Sequence, residues 1–169
     1  MKPKHIAIIM DGNRRWAKSN NHSLLEAYEQ GLNTLNDTIN NFIKLKIKYL
    51  TVFGFSTENW SRSKKEISFL MKLFNKFLDK AISEAEGNEI RIKFIGDLEI
   101  FDKKIKEKTS LLSKLTNKKK KLTLTVAVNY GGRQEILIAI NKYLNDHLNK
   151  NIKSLKKLND FEKYLFNYK

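Results

Sequence analysis

The sequence contains no cysteine, only one proline and only three histidines. Without cysteine there is neither a disulfide framework nor a thiolate nucleophile, and the chain fits a reducing compartment. The histidines, His5, His22 and His147, are scattered, so they predict neither a metal cluster nor a catalytic serine–histidine–aspartate arrangement. Because no internal repeat or proline-rich linker divides the chain, we predict a single domain over residues 1–169.

Long hydrophobic runs are missing as well. No stretch approaches the length of a membrane-spanning helix. The apolar residues that follow His5 are too few, and too soon followed by charge, for a signal peptide. We therefore expect a cytoplasmic protein, and peripheral contact with a membrane surface stays open.

Acidic residues are few relative to basic ones. The 33 Lys and Arg against 18 Asp and Glu give a formal net charge of +15, which favours anionic partners such as phosphorylated ligands, nucleic acid or an acidic membrane. The lysine run 118–121 is more typical of a solvated turn than of a nucleic-acid patch. Charge is the only feature that favours a nucleic-acid-binding module, so nucleic acid is not an expected partner.

What the chain does contain is an alternation of apolar runs and helical patterns. The runs predict strands at 6–10, 49–55, 90–95 and 122–128. Apolar residues at three- and four-residue spacing predict helices between them, at 24–43, 67–82, 100–115 and 134–148, with one more amphipathic helix at 152–169. Strands that alternate with helices imply an α/β fold, with a mainly parallel sheet flanked by helices.

The second long helix carries an aromatic and methionine set, Phe69, Met71, Phe74 and Phe77. Its periodicity alone favours ordinary core packing against the sheet. The alternative is one wall of an elongated apolar pocket, which would require part of the helix to stand away from the sheet.

Polar, glycine-bearing or charged segments follow all four predicted strands, at 11–16, 56–62, 96–97 and 129–133. Because the carboxyl ends of parallel strands meet at one sheet edge, these segments predict a common site. The alternative for any one of these segments, including the first, is an ordinary solvent-exposed turn between a strand and a helix.

The first segment has the parts of a diphosphate-binding loop. The Asp11 carboxylate can hold Mg²⁺, Arg14 and Arg15 can bind phosphate oxygens, and Gly12 permits close backbone approach. In the fourth segment, Arg133 follows two glycines at the start of a predicted helix, which also suits an anion. Neither the dinucleotide glycine fingerprint nor a phosphate-binding lysine–serine loop is present, which disfavours nucleotide chemistry.

Four motifs in order resemble the cis-prenyltransferases, the undecaprenyl diphosphate synthases. They are HIAIIMDGNRRWAK at 5–18, FSTENW at 55–60 with Arg62 and Glu66, FIGD at 94–97, and NYGGRQE at 129–135. The resemblance implies Mg²⁺-dependent condensation of isopentenyl diphosphate with an allylic diphosphate, usually farnesyl diphosphate. The product would be a long polyprenyl diphosphate, such as undecaprenyl diphosphate for the bacterial cell-wall lipid carrier, made by a homodimer. The second long helix would then line a hydrophobic tunnel.

The resemblance also implies roles for individual residues. Asp11 would bind the metal and act with Asn59 in catalysis, the asparagine helping proton removal from the isopentenyl unit. The implied substrate-binding residues of the first motif are Gly12, Asn13, Arg14, Arg15 and Trp16, and those of the second are Ser56, Thr57, Glu58, Trp60, Arg62 and Glu66. To these we add Arg133 and Tyr28, whose hydroxyl can hydrogen-bond phosphate.

The chain also departs from the family pattern. Leu24 and Tyr28 stand where members usually have an arginine and a histidine, and Ser63 replaces a proline. The family's arginine-bearing segment that binds isopentenyl diphosphate, together with further strands and much of the dimer interface, would lie beyond the point matching Lys169. Two alternatives therefore remain. One is a short but working synthase, or a piece of one that another chain completes, and the other is an inactive homologue that binds a diphosphate or a partner subunit.

Overall fold

The computed structural model describes residues 2–149, 155 and 157–166. Four parallel strands form one sheet in the order β1-β2-β4-β3. They are β1 His5–Ile9, β2 Tyr49–Ser56, β3 Ile90–Ile95 and β4 Leu122–Tyr130. The predicted α/β class and all four predicted strands are confirmed.

Within the described residues, six α-helices and one 3-10 helix connect and flank the strands. The α-helices are α1 Asn13–Ser19, α2 Leu24–Lys44, α3 Lys64–Ser83, α4 Lys103–Thr116, α5 Gly132–Leu148 and α6 Leu158–Glu162, and the 3-10 helix is Thr57–Ser61. Side chains set the starts of the longer helices. Ser23 forms a capping box with Glu26 at α2, and Asp102 accepts the Ile105 amide at α4. Ser63, the residue at the family's proline position, caps α3 by accepting the Glu66 amide.

Alternate side chains of the central strands build the core. Leu50 and Val52 of β2 and Leu124 and Val126 of β4 are buried and belong to one apolar cluster with Leu78 of α3. Because side chains alternate across a strand, these residues share the sheet face on which α3 packs. The apolar faces of α2 and α3, which periodicity predicts, therefore pack on this face of the sheet.

The two edges of the described sheet differ. On the β3 side, the buried Ile92 amide donates to the Thr116 hydroxyl of α4 at 3.0 Å. A helix side chain therefore provides the hydrogen-bond acceptor for an amide at that edge of the sheet. On the other side, β1 pairs with β2 and with no other described strand. Its last residue, Ile9, is 75% exposed, so the open edge lies beside the polar segment that follows β1.

The structure corrects the sequence prediction in three places. Asn13 to Trp16 lie in helix α1 rather than in a loop, and Thr57 to Ser61 form a 3-10 helix. Within the predicted helix 152–169, the structure describes a helix only at Leu158–Glu162, and residues 152–154, 156 and 167–169 lie outside the described residues. In the described part of the chain, no helix is both long and apolar enough to cross a bilayer.

Candidate active site

A cavity of about 350 Å³ lies between α2, α3 and the carboxyl-terminal half of the sheet. Its deep part is apolar, with Leu32 and Leu35 from α2, Phe74 and Phe77 from α3, and Val126 from β4 among the lining residues. Its mouth is polar, because the residues that follow β1 and β2 lie there. Met71, Phe74 and Phe77 line this cavity and also pack against the core cluster, so features of both readings are present. Phe69 contacts the Tyr28 ring instead.

The segment after β1 turns sharply into α1. Gly12 has φ 96°, in the left-handed region that favours glycine, and it is the residue at which α1 begins. Its amide donates to Asp11 Oδ1 at 2.6 Å, and Arg15 Nη2 donates to Asp11 Oδ2 at 3.0 Å. Both side chains of this ion pair are about four-fifths exposed. The carboxylate and the guanidinium therefore stand together at the cavity mouth, open to an incoming ligand.

Asn13 enters the cavity lining because α1 and α2 approach closely at Gly31. A Cβ atom at Gly31 would lie 3.1 Å from Asn13 Oδ1. Any larger residue there would have to displace the Asn13 side chain, so this glycine fixes how α1 sits on α2.

The segment after β2 folds back on itself through Ser56 and Asn59. The Ser56 amide donates to Asn59 Oδ1 at 3.0 Å, and the Ser56 side chain accepts the Asn59 backbone amide in return. Ser56, Glu58 and Asn59 line the cavity. Thr57 faces the fourth segment instead, where a Cβ at Gly131 would lie only 2.8 Å from its hydroxyl.

Glu66 is the centre of the densest polar cluster at the site. Its side chain is 7% exposed, and its Oε1 accepts from Arg62 Nη1 at 2.7 Å and from the Tyr28 hydroxyl at 2.8 Å. Its Oε2 pairs with Arg14, and Arg62 also donates to the Tyr28 oxygen. Burial alone would raise the pKa of Glu66, but the hydrogen bonds from Arg14, Tyr28 and Arg62 outweigh it and hold that pKa below the ordinary 4.5.

The aromatic residue of the second motif joins three strand ends. Trp60 donates its indole N–H to Asn129 Oδ1 at 2.8 Å, and Asn129 Nδ2 donates to the Asp97 carbonyl at 2.8 Å. Gly96, with φ 117°, lies so close to β4 that a Cβ would stand 2.0 Å from the Val128 carbonyl oxygen. The third and fourth segments therefore interlock behind the second and do not open into the cavity.

Residues 9–169 match the family model described as "Putative undecaprenyl diphosphate synthase". The chain belongs to this family. The predicted resemblance to cis-prenyltransferases is thereby confirmed.

Named relatives agree with the family. The chain is 44% identical over 142 residues to an isoprenyl transferase of Neisseria meningitidis serogroup B, covering 84% of this chain and 57% of the relative. For the isoprenyl transferase of Fusobacterium nucleatum, the identity is 40% over 165 residues, with 98% and 70% covered. The chain thus spans less than two thirds of the length of several curated relatives.

Solved structures give the same fold. Lavandulyl diphosphate synthase from Lavandula x intermedia, in complex with dimethylallyl diphosphate, superposes with a TM-score of 0.90 at 31% identity, over 97% of this chain and 71% of that one. A "probable undecaprenyl diphosphate synthase" from Campylobacter jejuni gives a TM-score of 0.77 at 30% identity, over 98% and 70% of the two chains.

In this undecaprenyl diphosphate synthase homologue, the predicted site residues divide into three groups. Those that line the cavity are Asp11, Asn13, Tyr28, Ser56, Glu58, Asn59 and Arg62. Four more contact these cavity-lining residues or their partners through the hydrogen bonds and ion pairs described above, namely Gly12, Arg14, Arg15 and Glu66. Thr57, Trp60, Trp16 and Arg133 lie apart: Trp16 is stacked on His22 at 5.1 Å between ring centroids, and Arg133 is exposed in the first turn of α5.

Among the residues that the structure describes, no three His, Cys, Asp or Glu side chains converge as a metal cluster. The donor set fits Mg²⁺ in another way, because this ion is commonly held by one or two carboxylates together with substrate phosphates and water. Asp11, exposed at the cavity mouth, supplies one such carboxylate.

The homologue's site also uses residues that motif reasoning did not select. These are the apolar side chains of the cavity wall, including Leu32, Leu35, Leu70 and Leu73. Their only sequence signal is the helical periodicity of α2 and α3, which is the same for an ordinary core.

Proposed function

We propose that this chain is a cis-prenyltransferase that condenses isopentenyl diphosphate with an allylic diphosphate such as farnesyl diphosphate. The product would be a long-chain polyprenyl diphosphate, such as undecaprenyl diphosphate for the lipid carrier of bacterial cell-wall synthesis. The supporting observation is a single cavity with a polar, charged mouth and an apolar interior. Such a cavity fits an amphiphilic ligand with an anionic head and a hydrocarbon tail.

The charged groups at the mouth suit the chemistry of a departing diphosphate. Negative charge grows on the leaving group in the transition state, and preorganised cations stabilise it. Arg15 and Arg62 provide such cations from two different segments. When bound, Mg²⁺ would neutralise part of the diphosphate charge, and Asp11 is the residue we propose to hold it.

Proton removal from the isopentenyl unit needs an acceptor close to its reacting carbon. Asn59 lines the cavity, and its Oδ1 is oriented by the Ser56 amide at 3.0 Å. We assign Asn59 the role of orienting the isopentenyl unit while its proton passes to an oxygen of the diphosphate, since a neutral amide is not itself a base. The deep apolar wall from Leu70 to Phe77 would hold the allylic chain away from water.

A second candidate function is that of a non-catalytic subunit that binds a diphosphate or a partner chain. It is favoured by Leu24, which is half-buried at the start of α2 where the family pattern predicts an arginine. Leucine offers no hydrogen bond to a phosphate.

One assay separates the two functions. Purified chain at several concentrations is incubated with radiolabelled isopentenyl diphosphate, farnesyl diphosphate and Mg²⁺, with and without a chelator. Butanol-extractable product that disappears with the chelator is the expected result. Folded protein that binds farnesyl diphosphate but yields no product would replace the synthase by the binding subunit. Protein that does neither would contradict both the synthase and a diphosphate-binding subunit.

A further inference from the structure

Tyr28 occupies an unusual position in the polar cluster, because its hydroxyl is both a donor and an acceptor there. The hydroxyl donates to Glu66 Oε1 at 2.8 Å and accepts from Arg62 Nη1. Its ring lies against Phe69, with 6.3 Å between ring centroids, and borders the cavity. The residue thus connects the apolar wall to the charged mouth.

The charges around Tyr28 do not cancel. Two guanidiniums, from Arg14 and Arg62, bind opposite oxygens of the single Glu66 carboxylate, which leaves one positive charge in excess. Burial, and then the hydrogen bond to Glu66, raise the pKa of Tyr28, so its hydroxyl keeps its proton near neutral pH. The cluster is therefore cationic and suited to an anion.

Arg62 is the member of this cluster that both lines the cavity and remains partly accessible, with its side chain 28% exposed. Both of its described contacts use the same nitrogen, Nη1. A guanidinium has five N–H donors in a fixed fork, so donors remain for a ligand. An arginine that is already ordered binds an anion with a smaller entropy cost than a mobile one.

We propose that Tyr28 is a positioning residue that acts through Arg62: its hydroxyl joins Arg62 to Glu66 and keeps the guanidinium ordered for a diphosphate at the cavity mouth. This inference rests on the proposed function, because it needs a diphosphate ligand. It gives the tyrosine at this position a role that does not require direct contact with phosphate.

A double-mutant cycle tests the link between the two residues. The full chain, Tyr28→Phe, Arg62→Met and the double variant are titrated with inorganic diphosphate and Mg²⁺ by calorimetry at fixed ionic strength. Tyr28→Phe keeps the ring on Phe69 and removes only the hydroxyl. Tyr49→Phe is the matched control, because Tyr49 is half-exposed at the start of β2, away from the cavity.

We expect Tyr28→Phe to weaken diphosphate binding about three- to tenfold, because the lost hydrogen bonds to Glu66 and Arg62 affect the ligand only through the ordering of Arg62. In the Arg62→Met background, the same change should have no further effect. With prenyl substrates, Tyr28→Phe should both raise KM and lower kcat, since a less ordered Arg62 binds the diphosphate less well and stabilises its developing charge less. If Arg62→Met does not fold, Arg62→Lys, which keeps the charge but not the planar fork, replaces it in the cycle.

Two results would overturn the inference while leaving the proposed function intact. One is equal weakening by Tyr28→Phe in both backgrounds, since Tyr28 would then act independently of Arg62. The other is an unchanged affinity in Tyr28→Phe. If the parent chain binds neither inorganic diphosphate nor farnesyl diphosphate, the proposed function itself fails, and this inference with it.

Discussion

Trp60 and Asn129, 69 residues apart in the chain, are joined by a 2.8 Å hydrogen bond from the indole N–H to the asparagine Oδ1. The same asparagine donates to the Asp97 carbonyl and has φ 48°, in the left-handed region. One buried side chain therefore links the end of β4 to the segments that follow β2 and β3.

Asn129→Ala should lower the free energy of unfolding by about 2–4 kcal/mol, because it removes two hydrogen bonds and places a non-glycine residue without a compensating polar side chain at positive φ. Urea denaturation measures this change. Asn141→Ala, on the exposed surface of α5, is the control and should change stability by less than about 0.5 kcal/mol. Equal effects of the two substitutions would show that the link does not stabilise the fold.

Glu66→Gln should destabilise the protein in a pH-dependent manner. Because the folded-state pKa of Glu66 is below 4.5, its carboxylate contributes stability that is present above the unfolded value and lost as the pH falls through the folded one. The stability gap between parent and variant should therefore be full at neutral pH and shrink below pH 4.5. Denaturation at a series of pH values checks this.

The control for Glu66 is Glu107→Gln, whose exposed ion pair with Lys103 spans 3.8 Å. Exposed pairs of this kind contribute little, so this variant should differ from the parent by less than about 1 kcal/mol. If the difference in unfolding free energy between the parent and Glu66→Gln were constant with pH, the charge of the carboxylate would not be the cause of the destabilisation.

Gly131→Ala should strain the contact between the fourth segment and the 3-10 helix. The new Cβ would lie 2.8 Å from Thr57 Oγ1, and overpacking of this kind typically costs about 1–3 kcal/mol. Thr57→Ala removes Oγ1, the atom that the new Cβ would clash with, so the double variant should recover most of the loss in thermal stability. No recovery would mean that the glycine is needed for another reason.

Phe77→Ala tests the inner end of the cavity. Phe77, Leu32 and Leu73 border both this cavity and a second one of about 580 Å³ that continues between α2 and α3. Removing the ring should merge the two spaces, so that under the proposed function the product distribution shifts to longer chains. Chromatography of dephosphorylated products measures this, with Leu111→Ala, exposed on α4, as a control. An unchanged distribution would place the length limit elsewhere.

Asp11→Asn should reduce Mg²⁺-dependent turnover by about 100-fold or more, the usual effect of losing one group that stabilises the developing charge. The amide keeps the shape of the carboxylate but not its charge. Initial rates over a range of Mg²⁺ concentrations measure the effect, and Asp37→Asn, exposed on α2, is the control. A variant as active as its parent would remove Asp11 from the site.

The sequence was informative wherever a local pattern decides the structure. Apolar runs located all four strands, and helical periodicity located α2 and α3, because burial of one face sets both patterns. Helix α1 was missed since its seven residues are too short to show a period. The Arg62–Glu66 pair at i,i+4 is readable from spacing, whereas its partners Tyr28 and Arg14 come from distant segments that only the fold brings near.

The order of strands was not readable either. Alternating strands and helices predict a parallel sheet but do not say that β4 lies between β2 and β3. The cavity could not be predicted for a similar reason, since apolar residues recur with the same period in a helix that borders a cavity as in one that packs directly on a sheet. Periodicity alone therefore does not distinguish a cavity wall from ordinary core.

The position of β4 has a consequence for how the chain folds. It comes last along the chain among the described strands, yet it joins β3 to the rest of the described sheet. While the polypeptide emerges from the ribosome, β1 and β2 can pair early, but β3 has to wait for residues 122–130. Pairings across such long sequence separations are slow, because the loop-closure entropy is lost before the contacts form. The ability to bind a ligand should accordingly arise late and in a single cooperative step.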